Sequence, residues 1–271
     1  MSKERTISSV ILVIIALATI LPGGPVLALT LYLISNVAFL ELTKACGIHT
    51  GEKLNVLEVT GILAIAVYYL LIYFAQTHTY FMITVILLLM ALMIVYVFSF
   101  PKYTANQVMT TYFSLIYAPI MLSFVFLTRQ LGYGAYLVWM IFISSWISDT
   151  CAYLVGVLFG KHKLVPHLSP KKTIEGAVGG IFGSAVVGGL FGFFLLDKTM
   201  GVSQFGPILF VIGAIGSVIS QVGDLAASAI KRNHDIKDYG NLIPGHGGIM
   251  DRFDSVIFTA PMIYFLIILF L

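Results

Sequence analysis

The chain has 271 residues, 59% of them hydrophobic and only 10% charged, with a formal net charge of +3. A soluble domain is about 45–50% apolar, so this composition, with a mean hydropathy of +1.00, excludes a soluble globular protein and implies an integral membrane one. The two cysteines, Cys46 and Cys151, fall in different predicted spans and carry neither a disulfide framework nor a zinc spacing.

Apolar runs of about 20 residues, the length that spans a bilayer as a helix, recur along the chain. They predict an all-α, polytopic helix bundle with about nine transmembrane helices over 7–22, 25–45, 56–75, 79–100, 108–128, 133–159, 174–196, 205–230 and 251–271. With the N-terminus cytoplasmic, Lys3, Arg5, Lys44, Lys53, Lys102, Lys161, Lys163, Lys171, Lys172, Lys231, Arg232, Lys237 and Arg252 share one side. Only Arg129 and Lys198 face the other, a skew that supports this count and orientation. The basic cytoplasmic face suits anionic headgroups or phosphates. Met1 to Pro25 has the charged start and apolar core of a signal peptide. The topology nevertheless works best with it retained as the first helix.

The spans divide into an N-terminal transmembrane scaffold, 1–130, and a catalytic transmembrane region, 131–271, with cytoplasmic loops at 160–173 and 231–250. In the scaffold, Glu58 and His78 are isolated near span ends and read as interfacial. The sixth span carries Ser145, Asp149 and Tyr153 at helical spacing, followed by Gly156 and Gly160. The eighth repeats the pattern with Ser217, Ser220, Gln221, Asp224 and Ser228. The serines read as ordinary interhelical hydrogen bonding. A carboxylate within a membrane needs a cation or a proton, so the aspartates point to function. The seventh span holds overlapping G-x-x-x-G pairs at 176/180, 179/183 and 188/192, which let a helix approach closely within the subunit or between subunits.

In the first loop, Ser169-Pro170 reads as a turn into the seventh span, Thr173 as its cap and Glu175 as an acid in its first turn. Lys171 and Lys172 beside a helix N-terminus make a phosphate site, or else a topology signal alone. The second loop gathers Lys231, Arg232, Lys237 and Arg252 around Gly245-His246-Gly247-Gly248. Its glycines permit the close backbone approach a phosphate needs, and Arg can grip phosphate bidentately. The spacing is neither a Walker A loop nor a G-x-G-x-x-G, so no soluble nucleotide fold follows. His246 reads equally as a catalytic group, a phosphate donor or a loop anchor. Asp149, Asp224, Asp251 and Asp254 are hard oxygen donors suited to Mg²⁺ beside phosphates. Asp224 and Asp251 rank first among them. Asp254 has an ion pair with Arg252 or a lysine as its alternative, and Asp149 lies about 15 Å from the end of its helix.

These residues are similar to the signature of the phosphatidate cytidylyltransferases, or CDP-diacylglycerol synthases. It runs from Ser228-x-x-Lys231-Arg232 through Lys237-Asp238 and His246-Gly247-Gly248 to Asp251-Arg252-x-Asp254, and the Ser169–Gly176 stretch and the Asp149-x-x-x-Tyr153 pair also resemble the family. The resemblance implies a Mg²⁺-dependent reaction, with a second cation allowed, in which CTP and phosphatidic acid give CDP-diacylglycerol and pyrophosphate at the cytoplasmic side of the cell membrane. It implies catalytic roles for Asp224, Asp251 and Lys172. It implies substrate binding by Ser169, Lys171, Thr173, Lys231, Arg232, Lys237, His246, Gly247, Gly248 and Arg252, and metal binding by Asp224, Asp251, Asp254 and Asp149. Membrane lipid, and with the glycine helix a homodimer, are the partners it suggests; nucleic acid is not. A CDP-alcohol phosphotransferase would carry a D-G-x-x-A-R motif, which is absent. An ion-coupled transporter would leave the glycine-rich basic loop without a purpose.

Overall fold

The computed structural model describes residues 3–271 apart from 50, 52, 76, 77, 202, 244 and 246, and no side chain is described at 3–9, 78–81 or 200. The described residues form helical runs α1 Lys3–Ile20, α2 Gly24–Ala45, α3 Val56–Ala75 and α4 His78–Phe98. These are followed by α5 Ala105–Gln130, α6 Gly134–Phe159, α7 Ile174–Asp197, α8 Phe205–Asn233 and α9 Met250–Phe270. Among the described residues, seven of these, all but α1 and α4, are long and apolar enough to cross a membrane. The protein is a multi-pass, all-α membrane protein whose helices coincide with the predicted spans to within a few residues.

Local chemistry sets the helix ends. Thr104 accepts from Gln107 N at 3.3 Å while Gln107 Oε1 accepts from Thr104 N at 2.9 Å, a reciprocal cap that starts α5. Asp197 takes the first amides of α8, those of Phe205 at 2.9 Å and Gly206 at 3.2 Å, satisfying donors a helix leaves orphaned. The helices are not uniform. π turns occur at Ile116–Ile120, which contains Pro119, and at Ile143–Ile147 and Gly192–Asp197.

The chain forms two compact units, Met1–Phe126 with His234–Arg252, and Leu127–Asn233 with Phe253–Leu271. The loop before α9 packs with the N-terminal helices in the first unit, where the Glu41 carboxylate on α2 bonds it (below). Within the first unit, Phe39, Leu42, Leu57 and Tyr68 are fully buried, and the phenols are satisfied by Ser123 Oγ on Tyr68 at 2.7 Å and Ser35 Oγ on Tyr69 at 2.8 Å.

Glu58 is not isolated. It is wholly buried, accepts from Asn55 N at 2.9 Å and lies 2.9 Å from His49 Nδ1, while Asn55 Oδ1 accepts from Glu58 N at 2.9 Å. The pair caps α3 reciprocally, which explains a carboxylate at the start of an apolar helix. The side chain of His78 lies outside the described residues.

The second unit is built on α7. A Cβ at Gly180 would stand 2.8 Å from the Ser148 carbonyl, one at Gly176 2.7 Å from the Ala152 carbonyl, and one at Gly188 2.7 Å from the Leu209 carbonyl. The glycine pairs are therefore spent on α6 and α8 within the chain. Ser148 Oγ meets Ser217 Oγ at 2.6 Å and Ser184 Oγ donates to the Gly213 carbonyl at 3.0 Å. The predicted stripe Ser145–Asp149–Tyr153 does not hold. Ser145 is fully buried and bonds its own helix at the Ile141 carbonyl, whereas Tyr153 is 70% exposed. The π turn at Ile143–Ile147 adds backbone per turn and so rotates Ser145 off that face.

Candidate active site

The candidate side chains fall into two sets, one in each unit. In the C-terminal unit, Lys163–Val165 (β1) and Ser169–Thr173 (β2) form an antiparallel hairpin with Lys163 opposite Thr173 and Val165 opposite Ser169. Ser169-Pro170 is thus strand rather than turn; the chain reverses one step earlier, over 166–168. The strand explains how adjacent lysines part company. Neighbouring side chains point to opposite faces, so Lys171 is exposed while Lys172 turns inward. Thr173 ends the strand and caps α7 as the sequence suggests, accepting from Gly176 N at 3.1 Å. Its side chain also sits where Cβ atoms at Gly156 and Gly160 would lie, at 3.0 and 2.8 Å. Glu175 locks the hairpin's entry, accepting from Lys161 N at 3.1 Å and meeting His162 Nδ1 at 2.6 Å.

Lys172 Nζ lies 2.5 Å from Asp224 Oδ2, and each side chain is 27% exposed. The contact is charge against charge: Nζ is buried, but its direction is not that of a hydrogen bond. Asp224 and Lys231 are two turns apart on one face of α8. Facing them, Asp254 on α9 feels repulsion from Asp224 and, more weakly, from Asp149, and attraction from Lys231. Gly223 permits this proximity, since a Cβ there would stand 2.8 Å from Phe258 Cβ and 3.0 Å from the Asp254 carbonyl. The unit thus gathers Asp149, Asp224 and Asp254 with Lys172 and Lys231. Asp149 is exposed and Lys231 buried. Among the described residues no three carboxylate, imidazole or thiol groups converge closely enough to enclose a metal by themselves.

The other set is the loop before α9. Asp251 is buried at 5% exposure, and its Oδ2 accepts from Tyr239 N at 2.8 Å and Gly248 N at 3.0 Å. Gly247 has φ +83°, a conformation L side chains rarely adopt, and a Cβ there would stand 2.9 Å from that same oxygen. Ile243 N donates to the Gly247 carbonyl at 2.9 Å. Arg252 Nε is buried with no hydrogen-bond partner among the described residues. Arg232 and Lys237 are exposed, and His246 lies outside the described residues. Glu41, which the sequence reading passed over, accepts from Ile249 N at 3.1 Å through Oε1 and from Met250 N at 2.8 Å through Oε2. Its signal was a carboxylate in the otherwise apolar run of α2, the same signal that singled out Asp224.

The model of a family described as the cytidylyltransferase family matches residues 3–270. Three similar proteins, each named phosphatidate cytidylyltransferase, align over nearly their whole length. The protein from Staphylococcus saprophyticus is 34% identical over 98% of this chain and 99% of its own. That from Staphylococcus aureus strain COL is 34% identical with the same coverage, and that from Bacillus subtilis strain 168 is 32% identical over 99% of this chain and 98% of its own. With a family model spanning almost every residue and relatives of this identity covering the whole chain, the protein belongs to the cytidylyltransferase family.

Proposed function

We propose that this protein is a phosphatidate cytidylyltransferase, a CTP-dependent nucleotidyltransferase of phospholipid biosynthesis that makes CDP-diacylglycerol. The observation that carries the reading is the acidic and basic cluster of Lys172, Asp224, Lys231 and Asp254 in a multi-pass membrane protein of a cytidylyltransferase family. A phosphate oxygen of phosphatidic acid attacks the α-phosphorus of CTP. The bond from that phosphorus to the α–β bridging oxygen breaks, and pyrophosphate leaves with the electron pair. A phosphate monoester has its second pKa near 6, so the attacking oxygen is ionised at neutral pH and no strong base is required. The difficulty is repulsion between two anions, so the protein's task is positioning and charge neutralisation.

The residues present fit Mg²⁺. Asp224 and Asp254 are mutually repelling hard donors, and Mg²⁺ usually takes one or two carboxylates with phosphate oxygens and water. When bound it would neutralise phosphate charge and align the in-line displacement. In this reading Asp224 and Asp251 are the leading ligands, with Asp254 and Asp149 supporting them, and a second cation fits the same donor set. Lys172 exchanges its pairing with Asp224 for one with the departing pyrophosphate. Arg252 supplies its buried Nε, and Lys231, Arg232, Lys237 and Lys171 the surrounding positive field, to the phosphates. Ser169, Thr173, His246, Gly247 and Gly248 border the substrates. All nine helical runs, α1 and α4 included, cross the cell membrane with the N-terminus and both loops on the cytoplasmic side, supported by the distribution of Lys and Arg. A homodimer belongs to the same reading, on a face other than the glycine pairs already used within the chain.

Incubating the purified protein with CTP, phosphatidic acid and Mg²⁺ should yield a lipid with the mass of CDP-diacylglycerol, and none when any component is omitted. Folded protein that yields no such lipid would overturn the proposal.

A further inference from the structure

We infer that Glu41 is a positioning residue for the nucleotide loop: from α2 it braces the start of α9 and fixes the shape in which Gly247–Arg252 meets the phosphates. The inference rests on the function proposed above, although its structural half stands without it.

The first turn of a helix has amides with no partner in the helix, and a side chain just before the helix usually takes them. At α9 that place is filled by Gly247, Gly248 and Ile249, none of which has a side chain able to accept. Glu41 takes the role from elsewhere in the sequence, with one oxygen on Ile249 N and the other on Met250 N. Its carboxylate lies against both Gly240 and Gly248; a Cβ at Gly248 would fall 2.5 Å from either oxygen, and one at Gly240 would overlap Oε1. The glycines at 240 and 248 are therefore required by Glu41. Gly245 and Gly247, at φ +75° and +83°, owe their identity to backbone conformation.

The loop's chemistry changes as a result. A glycine-rich phosphate loop ordinarily turns its amides toward the anion. In this loop the amides of Tyr239 and Gly248 are taken by Asp251, and those of Ile249 and Met250 by Glu41. Two carboxylates thus brace the loop from inside, Glu41 through both of its oxygens and Asp251 through Oδ2. Recognition of phosphate then falls to cationic side chains, Arg252 first, whose position on the first turn of α9 is set by the amides Glu41 holds.

The test compares wild type with Glu41→Gln and Glu41→Asp in detergent. In Glu41→Gln an NH₂ group replaces one acceptor and confronts an amide donor, leaving it unsatisfied. Hydrogen exchange of the backbone over 247–251 should quicken about tenfold, with exchange across 174–197 unchanged. The KM for CTP should rise about tenfold, while the KM for phosphatidic acid stays within about twofold. Glu41→Asp, which keeps both acceptors on a shorter arm, should fall between the two and supplies the test if the Gln variant does not fold. Unchanged loop exchange, or a lowered melting temperature with the KM for CTP unaltered, would overturn the inference. If wild type makes no CDP-diacylglycerol, the functional proposal fails instead, and the exchange measurement still decides whether Glu41 braces the loop.

Discussion

Replacing Asp224 by asparagine should lower CDP-diacylglycerol formation by about 10²-fold or more, in a protein that keeps its helical content and melting temperature. The substitution preserves shape in α8, so packing is undisturbed, while the charge facing Lys172 at 2.5 Å is removed. Two losses follow. Lys172 no longer has a carboxylate to leave when pyrophosphate forms, and a metal ion beside Asp254 loses one of its hard donors. The second loss has its own readout: the Mg²⁺ concentration giving half-maximal rate should rise along with the fall in maximal rate. A variant within threefold of wild type, at unchanged Mg²⁺ requirement, would remove Asp224 from the reaction centre.

Asp251→Asn should also reduce turnover by orders of magnitude, but for a reason that separates two roles. As a loop brace, Asp251 accepts from Tyr239 N and Gly248 N through one oxygen. An asparagine carbonyl can still accept both, and a neutral acceptor is roughly half as strong as a charged one. Bracing alone therefore predicts a modest change, less than about tenfold. A ligand to Mg²⁺ needs the negative charge itself, and there the loss is expected to reach about 10²-fold or more. Rates of CDP-diacylglycerol formation at saturating CTP and Mg²⁺ measure the difference, and a fall of less than tenfold would leave Asp251 as a brace and take it out of the metal shell.

The residues that were legible in advance are those whose signal is local. Hydropathy placed every helical run, because a bilayer demands about 20 apolar residues whatever they pack against. Thr173 could be read as a cap because its partner, Gly176, is three residues away. Asp224 could be singled out because a carboxylate at membrane depth needs a cation or a proton. What was missed depends on distant or irregular backbone. Glu41 meets Ile249 across 208 positions of sequence, and no spacing rule spans such a gap. Ser145 was placed on the wrong face because a π turn leaves no mark in a 3.6-residue period. The short hairpin at Ser169 was hidden because its strand carries lysines on both faces and so lacks an apolar alternation. Gly248 was read as room for phosphate, whereas the nearest group to it is the Glu41 carboxylate.

The central claim, transfer of a cytidylyl group to a lipid phosphate, is tested by the fate of two labels. Purified protein is given phosphatidic acid, Mg²⁺ and CTP carrying radioactive phosphorus at either the α or the γ position, and the lipid is extracted. Label from the α position should enter the lipid phase in step with release of unlabelled pyrophosphate, while label from the γ position should remain in water as pyrophosphate. Label from the γ position in the lipid would identify a CTP-dependent lipid kinase and contradict the account.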